Sequence, residues 1–311
     1  MLSSRADELP LIVTTSTAGY HHWLDHLHLN LKLLGLQRLL RVCAADDATV
    51  AHATSLGIGV VNATTASTNA ADYGLQTATA ASTFMSTAWR AAVHYKQHCV
   101  WSMLERSAPG AHLLLVDGDV TFFKDPLRAL RMLRARNASA PDDDVLLMDD
   151  TTPRAETPYL NSGFMLLRNS PATRAFGRSY LNQLQRRRAE NDQNVFNDVL
   201  RAMSVTGPFA SAASSGGRPS PVGGHQAGSV TALAKMAGGA KSLGGKANGG
   251  ASVANALRST VRHNARHPGL RVRVLDSRSY PCGYFFYEYR HRRPLNASAL
   301  VAVHHNWCAM A

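Results

Sequence analysis

Short apolar runs alternate with stretches of helical periodicity through the first 120 residues. Residues 11–15 (Leu-Ile-Val-Thr-Thr) read as a strand. From about Tyr20, leucines 24, 27, 31 and 34 recur at helical spacing, and Gly35 supplies the stop. Residues 39–45 form a second apolar run ending at Asp46-Asp47, and a short helix over 49–56 leads to a third run at 57–61. After a polar loop, a long helix is predicted over 82–106, then a fourth strand over 112–116 that runs into Asp117-Gly118-Asp119. Four strands separated by helices predict right-handed βαβ units, an α/β fold and a parallel sheet. Ligands in such sheets bind beyond the carboxyl ends of the strands, so Thr14-Thr15, Asp46-Asp47 and Asp117-Gly118-Asp119 are expected on one rim. The second half is more mixed. A short strand over 121–123 leads to Asp125 as N-cap and Pro126 at the first helical position. Strands follow at 145–148 and 160–167, helices at 171–188 and 192–203, and short strands at 271–275 and 301–303.

Four blocks carry residue types suited to chemistry. Asp117-Gly118-Asp119 places two carboxylates at the end of a buried strand. Hard oxygen ligands there can bridge a divalent cation to a diphosphate, and Gly118 allows a close approach to the backbone. The same Asp-Gly between apolar runs is also a hairpin signal. Asn161-Ser162-Gly163 opens a strand with groups that hydrogen-bond sugar hydroxyls, although read alone it fits a turn or bulge better. Asp192-Gln193 follows Asn191 at a helix start, where capping competes with substrate orientation. His304-His305 near the C-terminus supplies an imidazole for a metal already held by carboxylates, or a packed histidine. The pairs His22/His26 and His94/His98 have helical metal-site spacing without an HExxH pattern. No GxSxG, Walker or GxGxxG motif occurs, which leaves serine hydrolase, P-loop and dinucleotide readings without an anchor.

Composition refines this picture. Of the 311 residues, 45% are hydrophobic and 17% charged, as in a globular chain. The net charge of +12 suggests polyanion binding until its location is considered. Residues 199–275 hold ten Lys or Arg and no acid, leaving 23 basic and 21 acidic residues elsewhere. Residues 206–259 also contain 12 of the 23 glycines, so they read as a flexible Gly/Ala/Ser/Lys-rich insertion within one folded unit. No nucleic-acid partner is expected. The four cysteines, 43, 99, 282 and 308, allow up to two disulfides, with three full pairings open. Triplets at Asn62, Asn137 and Asn296 fit N-glycosylation in a secretory lumen. No apolar run reaches the roughly 18 residues of a membrane span. The polar start lacks a signal-peptide core, so the chain is expected to be cytosolic or to lack its targeting end.

Taken in order, the blocks resemble the DxD-containing nucleotide-diphospho-sugar transferases of glycosyltransferase family 77. The likeness rests on residues 115–126 around the DxD, on Asn161-Ser162-Gly163-Phe164 with residues 171–173, on Asp192-Gln193 with Asn197, and on residues 304–307. Asn30 and Lys96 also fall where the family places such residues. Gly118, the basic insertion and the missing membrane anchor depart from its pattern.

The resemblance implies one GT-A, Rossmann-like catalytic domain over 1–311 with a mostly parallel central sheet. It implies a UDP-sugar donor, Mn²⁺ or Mg²⁺, and retention of anomeric configuration. Asp117, Asp119 and His304 would then hold the metal. Thr14, Thr15 and Asp46 would lie near the nucleotide, with Lys96, Asp117 and Gly118 also on the donor. Asn161, Ser162 and Gly163 would face the transferred sugar, and Asp192 and Gln193 the anomeric carbon. It implies a pentosyl- or galactosyltransferase acting on a cell-wall glycan or a glycoprotein in the Golgi lumen. The competing readings are a non-catalytic protein of the same fold whose basic insertion binds polyanions, and a metal-dependent phosphohydrolase.

Overall fold

A computed structural model describes residues 10–61, 86–135, 143–151, 159–203, 205–206, 269–283, 286–287 and 298–305. The three glycosylation asparagines, the insertion beyond Thr206, Cys308 and the Asn306-Trp307 pair lie outside the described residues. The first half follows the alternation of its apolar runs: β1 (Leu11–Ser16), α1 (His21–Leu33), β2 (Leu40–Ala44), α2 (Asp47–Ser55), β3 (Gly59–Val61), α3 (Thr87–Arg106) and β4 (His112–Val116). These four strands are parallel and lie in the order β3-β2-β1-β4, as in half of a Rossmann-like sheet.

The second half adds β5 (Val120–Phe122), α4 (Pro126–Ala135), β6 (Val145–Asp149), β7 (Leu160–Arg168), α5 (Pro171–Arg186), α6 (Asp192–Ala202), β8 (Val205–Thr206), β9 (Leu270–Val274) and β10 (Ala302–His304). The eight-stranded sheet continues β4-β7-β6-β9-β8, and β7 alone runs antiparallel to its neighbours. The α/β architecture and mostly parallel sheet are as expected. The reversal of β7 has a direct consequence: its first residues, not its last, lie at the rim where β1, β2 and β4 end. A separate two-stranded sheet pairs β5 with β10 and brings the chain's end beside the loop after β4.

Two apolar layers sandwich the sheet. On one face α1, α2 and α4 pack Leu24, Leu27, Leu31, Ala53, Leu127 and Leu130 against Ile12, Leu40 and Leu114. On the other, α3, α5 and α6 bury Trp101, Phe176, Tyr180 and Phe196 against Val13, Leu115 and Met165. Local signals set the helix ends. Gly35 has φ 72°, and the backbone bonds Leu36 N to Leu31 O and Gly35 N to Lys32 O form a Schellman stop for α1. Asp46, Ser86, Ser170 and Asn191 each cap a helix N-terminus with a side-chain oxygen. Among the described residues, no helix is long and apolar enough to cross a membrane.

Of the open cysteine pairings, the structure shows Cys43 bonded to Cys99, joining β2 to α3 across 56 residues of sequence. One turn earlier Tyr95 donates to the carbonyl of Ala44 at 2.9 Å, so α3 is fixed to β2 twice. Closing a loop of this length stabilises a fold by roughly 2–4 kcal/mol. Replacing both Cys43 and Cys99 by Ser is therefore expected to lower the urea-unfolding midpoint by that equivalent; an unchanged midpoint contradicts the clamp.

Candidate functional site

The loop leaving β4 carries Asp117-Gly118-Asp119, and two neighbours converge on it. Antiparallel β7 begins there, with Asp117 N donating to Gly163 O at 2.7 Å. Strand β10 pairs His304 with Val120, and His305 N donates to Asp119 O at 3.1 Å. His304 Nε2 consequently lies 3.1 Å from Asp119 Oδ1 and 3.6 Å from Asp117 Oδ2. One ligand atom from each of the three residues falls within 4.8 Å of the others.

Gly163 keeps this cluster open. A Cβ on it would sit 2.7 Å from Asp117 Cγ and 2.8 Å from His304 Cε1, so any side chain would displace Asp117 or His304. Gly118 has a different reason. The space its Cβ would take belongs to Trp23 of α1, with Trp23 Cβ at 2.9 Å, and the close approach is between loop and helix.

Helix α3 supplies the counter-charge. Lys96 Nζ lies 2.8 Å from Asp117 Oδ1 and 3.8 Å from Asp192 Oδ2. Burial works against its ammonium, but Asp117 and Asp192 outweigh this and hold its pKa above the usual lysine value. Burial likewise disfavours the His304 imidazolium, and the Asp119 carboxylate overrides it, raising the pKa to about 8. Asp119 shows the reciprocal effect. Its burial raises the pKa, and His304 brings it below the ordinary carboxylate value.

The Asn161 and Asp192 blocks interlock beside this cluster. Ser162 Oγ donates to Asp192 Oδ2 at 3.1 Å, and Ser162 N lies 3.5 Å from Gln193 Oε1. Asn161 Oδ1 accepts from Gly163 N at 2.7 Å. Asn191 caps α6 through Gln193 N, and Tyr180 OH donates to Asp192 O at 3.1 Å, fixing the start of the helix. Asn197 forms a bidentate pair with the backbone of Leu160, both contacts at 2.8 Å, which locks α6 to β7.

Thr14 and Thr15 of β1, and Asp46 just after β2, belong to the same rim of the sheet. Both oxygens of Asp46 are engaged, Oδ1 by the Thr49 N–H and hydroxyl and Oδ2 by Ala18 N, so it clasps the β1–α1 and β2–α2 connections together. The hydroxyls of Thr14 and Thr15 are buried with no hydrogen-bond partner among the described residues. Adjacent strand residues point to opposite faces, so the two do not address one ligand from the same side. Asn30 serves the framework: its carboxamide pairs with both backbone groups of Phe122 and fixes β5 to α1.

Two participants escaped the sequence reading. Asp150 accepts from Gln193 Nε2 at 2.8 Å and lies 3.4 Å from Asn161 Nδ2. Its signal was available, since it follows an apolar strand as Asp46 and Asp117 do. Gln97, one residue beyond Lys96, donates to Asp192 Oδ2 at 2.8 Å, and no spacing pattern marks it.

Two carboxylates and one imidazole form a donor set suited to a divalent transition ion. Such an ion must displace the proton that His304 retains up to about pH 8. Mn²⁺ affinity is therefore expected to rise by about tenfold per pH unit between pH 6 and 8 and then level off, measured by calorimetry. Without metal the sign reverses: the imidazolium–Asp119 pair stabilises the fold fully below pH 6.5 and loses that effect as pH rises through about 8. A pH-independent Mn²⁺ affinity contradicts this arrangement. Gly163→Ala is expected to weaken Mn²⁺ at least about tenfold with unchanged far-ultraviolet circular dichroism, and undiminished binding contradicts the cradle.

Among the solved structures that match, three align over 96% of this chain: mouse xyloside xylosyltransferase 1 in its apo form, the apo glycosyltransferase GlyE of Streptococcus pneumoniae TIGR4, and the galactosyltransferase LgtC with donor and acceptor sugar analogues. Their identities are 11%, 8% and 12%, their TM-scores 0.45, 0.45 and 0.38, and the shares of their own chains covered 98%, 55% and 92%. A comparison with curated protein sequences gives no match. The profile of the nucleotide-diphospho-sugar transferase family matches residues 35–311, and the chain belongs to that family.

Proposed function

We propose that this protein transfers a sugar from a UDP-sugar to a glycan or glycoprotein hydroxyl, with a divalent ion, Mn²⁺ or Mg²⁺, and with retention at the anomeric carbon. The observation that carries the reading is the convergence of Asp117, Asp119 and His304 beside the buried Lys96 ammonium, within a chain of this family. Asp117, Asp119 and His304 would hold the ion, which supplies charge neutralisation for the diphosphate leaving group.

The chain's own residues do the rest. Lys96 adds a fixed positive charge that favours the more anionic state of the departing diphosphate. Asn161, Ser162 and Gly163 line the donor side, where amide and hydroxyl groups recognise sugar hydroxyls. Asp192 and Gln193 at the start of α6 hold the sugar beside the acceptor. A front-face displacement fits this set. The acceptor oxygen bonds to the anomeric carbon on the side from which the diphosphate oxygen departs, and the acceptor proton passes to that departing oxygen. Thr14, Thr15 and Asp46 form the nucleotide end of the rim.

The Cys43–Cys99 disulfide supports action in an oxidising compartment, consistent with a Golgi lumen. A panel of UDP-pentoses and UDP-hexoses with Mn²⁺, scored for UDP release, is the direct test. One donor is expected to be hydrolysed slowly without acceptor, and Asp119→Ala is expected to lose about 10²-fold or more of that rate. Turnover that Asp119→Ala leaves intact contradicts the reading.

A further inference from the structure

Gln97 lies midway along α3 and is fully buried. Its Nε2 donates to Asp192 Oδ2 at 2.8 Å and lies 3.4 Å from the carbonyl oxygen of Ser162. Both partners are acceptors only, which fixes the orientation of the amide. Its Oε1 is consequently buried with no partner among the described residues, a costly state that an apolar side chain would avoid. The polar group at this position thus has its consequence at Asp192.

The carboxylate of Asp192 is asymmetric. Oδ2 faces Gln97 Nε2, Ser162 Oγ at 3.1 Å and Lys96 Nζ at 3.8 Å, whereas Oδ1 accepts no hydrogen bond from the described residues. Lys96 is closer to Asp117, at 2.8 Å, so Gln97 and Ser162 are the groups that fix the plane of the Asp192 carboxylate. Without Gln97, Asp192 would be free to rotate toward Lys96 and compete with Asp117 for it.

We propose that Gln97 is a positioning residue for sugar transfer: it holds Asp192 by one oxygen, keeps the other for the donor sugar, and ties the start of β7 to the start of α6. This rests on the sugar-transfer reading above. It separates a carboxylate poised for the sugar from a Lys96–Asp117 pair serving the diphosphate.

The test uses the full chain with Mn²⁺ and the donor found by the panel. Gln97→Met keeps the volume and removes the donor. It is expected to lower kcat for donor hydrolysis about 10- to 100-fold, while UDP affinity and far-ultraviolet circular dichroism stay at wild-type values. Gln97→Glu provides a readout that packing alone would not move. The introduced carboxyl can donate to Asp192 only when protonated, so its kcat relative to wild type is expected to rise as pH falls from 8 to 6. Wild-type kcat in Gln97→Met, or a loss matched by equal loss of UDP affinity, overturns the proposal. If Gln97→Met does not fold, a pH-independent ratio for Gln97→Glu overturns it. A wild-type chain that binds UDP and Mn²⁺ but hydrolyses no donor overturns the sugar-transfer reading and this proposal with it. Wild-type turnover that both variants share overturns this proposal alone.

Discussion

Carboxylates crowded together at a partly buried site repel one another, and Asp117, Asp119, Asp150 and Asp192 all meet at one rim of this sheet. Each ionised group in such a place needs a counter-charge or several donors. Lys96 meets the requirement for Asp117 and Asp192, and His304 for Asp119 and Asp117. Asp150 accepts amide donors from Gln193 and Asn161. The two cationic groups come from elements far apart in sequence, so the site exists only once the long helix and the chain's end have docked. A divalent ion at the Asp117–Asp119–His304 cluster would replace the imidazolium proton with a stronger charge, which is why metal affinity and proton affinity compete there.

Helix α3 is the element that makes this docking stable. Within residues 94–99 it holds Glu190 O through His94, Ala44 O through Tyr95, two carboxylates through Lys96, Asp192 and Ser162 through Gln97, and β2 through Cys99. This explains why its sequence shows no clean apolar stripe. It is buried on several sides, some through its own hydrophobic residues such as Trp101 and Leu104 and some through polar contacts with the site.

Much of this was legible beforehand because strand and helix periods differ and because caps are local. The four parallel strands, the Gly35 stop and the Asp125-Pro126 helix start all follow from nearest-neighbour chemistry. The rim shared by Asp46 and Asp117 followed from parallel-sheet topology. The reversal of β7 did not, because a strand buried on both faces, as Leu160–Arg168 is, carries no sign of its direction. The joining of β10 to β5 rests on a three-residue pairing too short to read. Asp150 carries the same signal as Asp46 and Asp117, an acid just past an apolar run, but only the tertiary contacts with Gln193 and Asn161 tie it to the site. Gln97 was invisible because a glutamine inside a helix has no motif, and only the tertiary contact with Asp192 gives it meaning.

The convergence of two aspartates and one distant histidine on a single ion is most directly examined by pulsed electron paramagnetic resonance of the Mn²⁺-loaded chain. One Mn²⁺ per chain with nitrogen-14 modulation from an imidazole, lost in His304→Gln, is the expected result. A bound Mn²⁺ signal without nitrogen coupling, or one unchanged by His304→Gln, would contradict the assembly of that site.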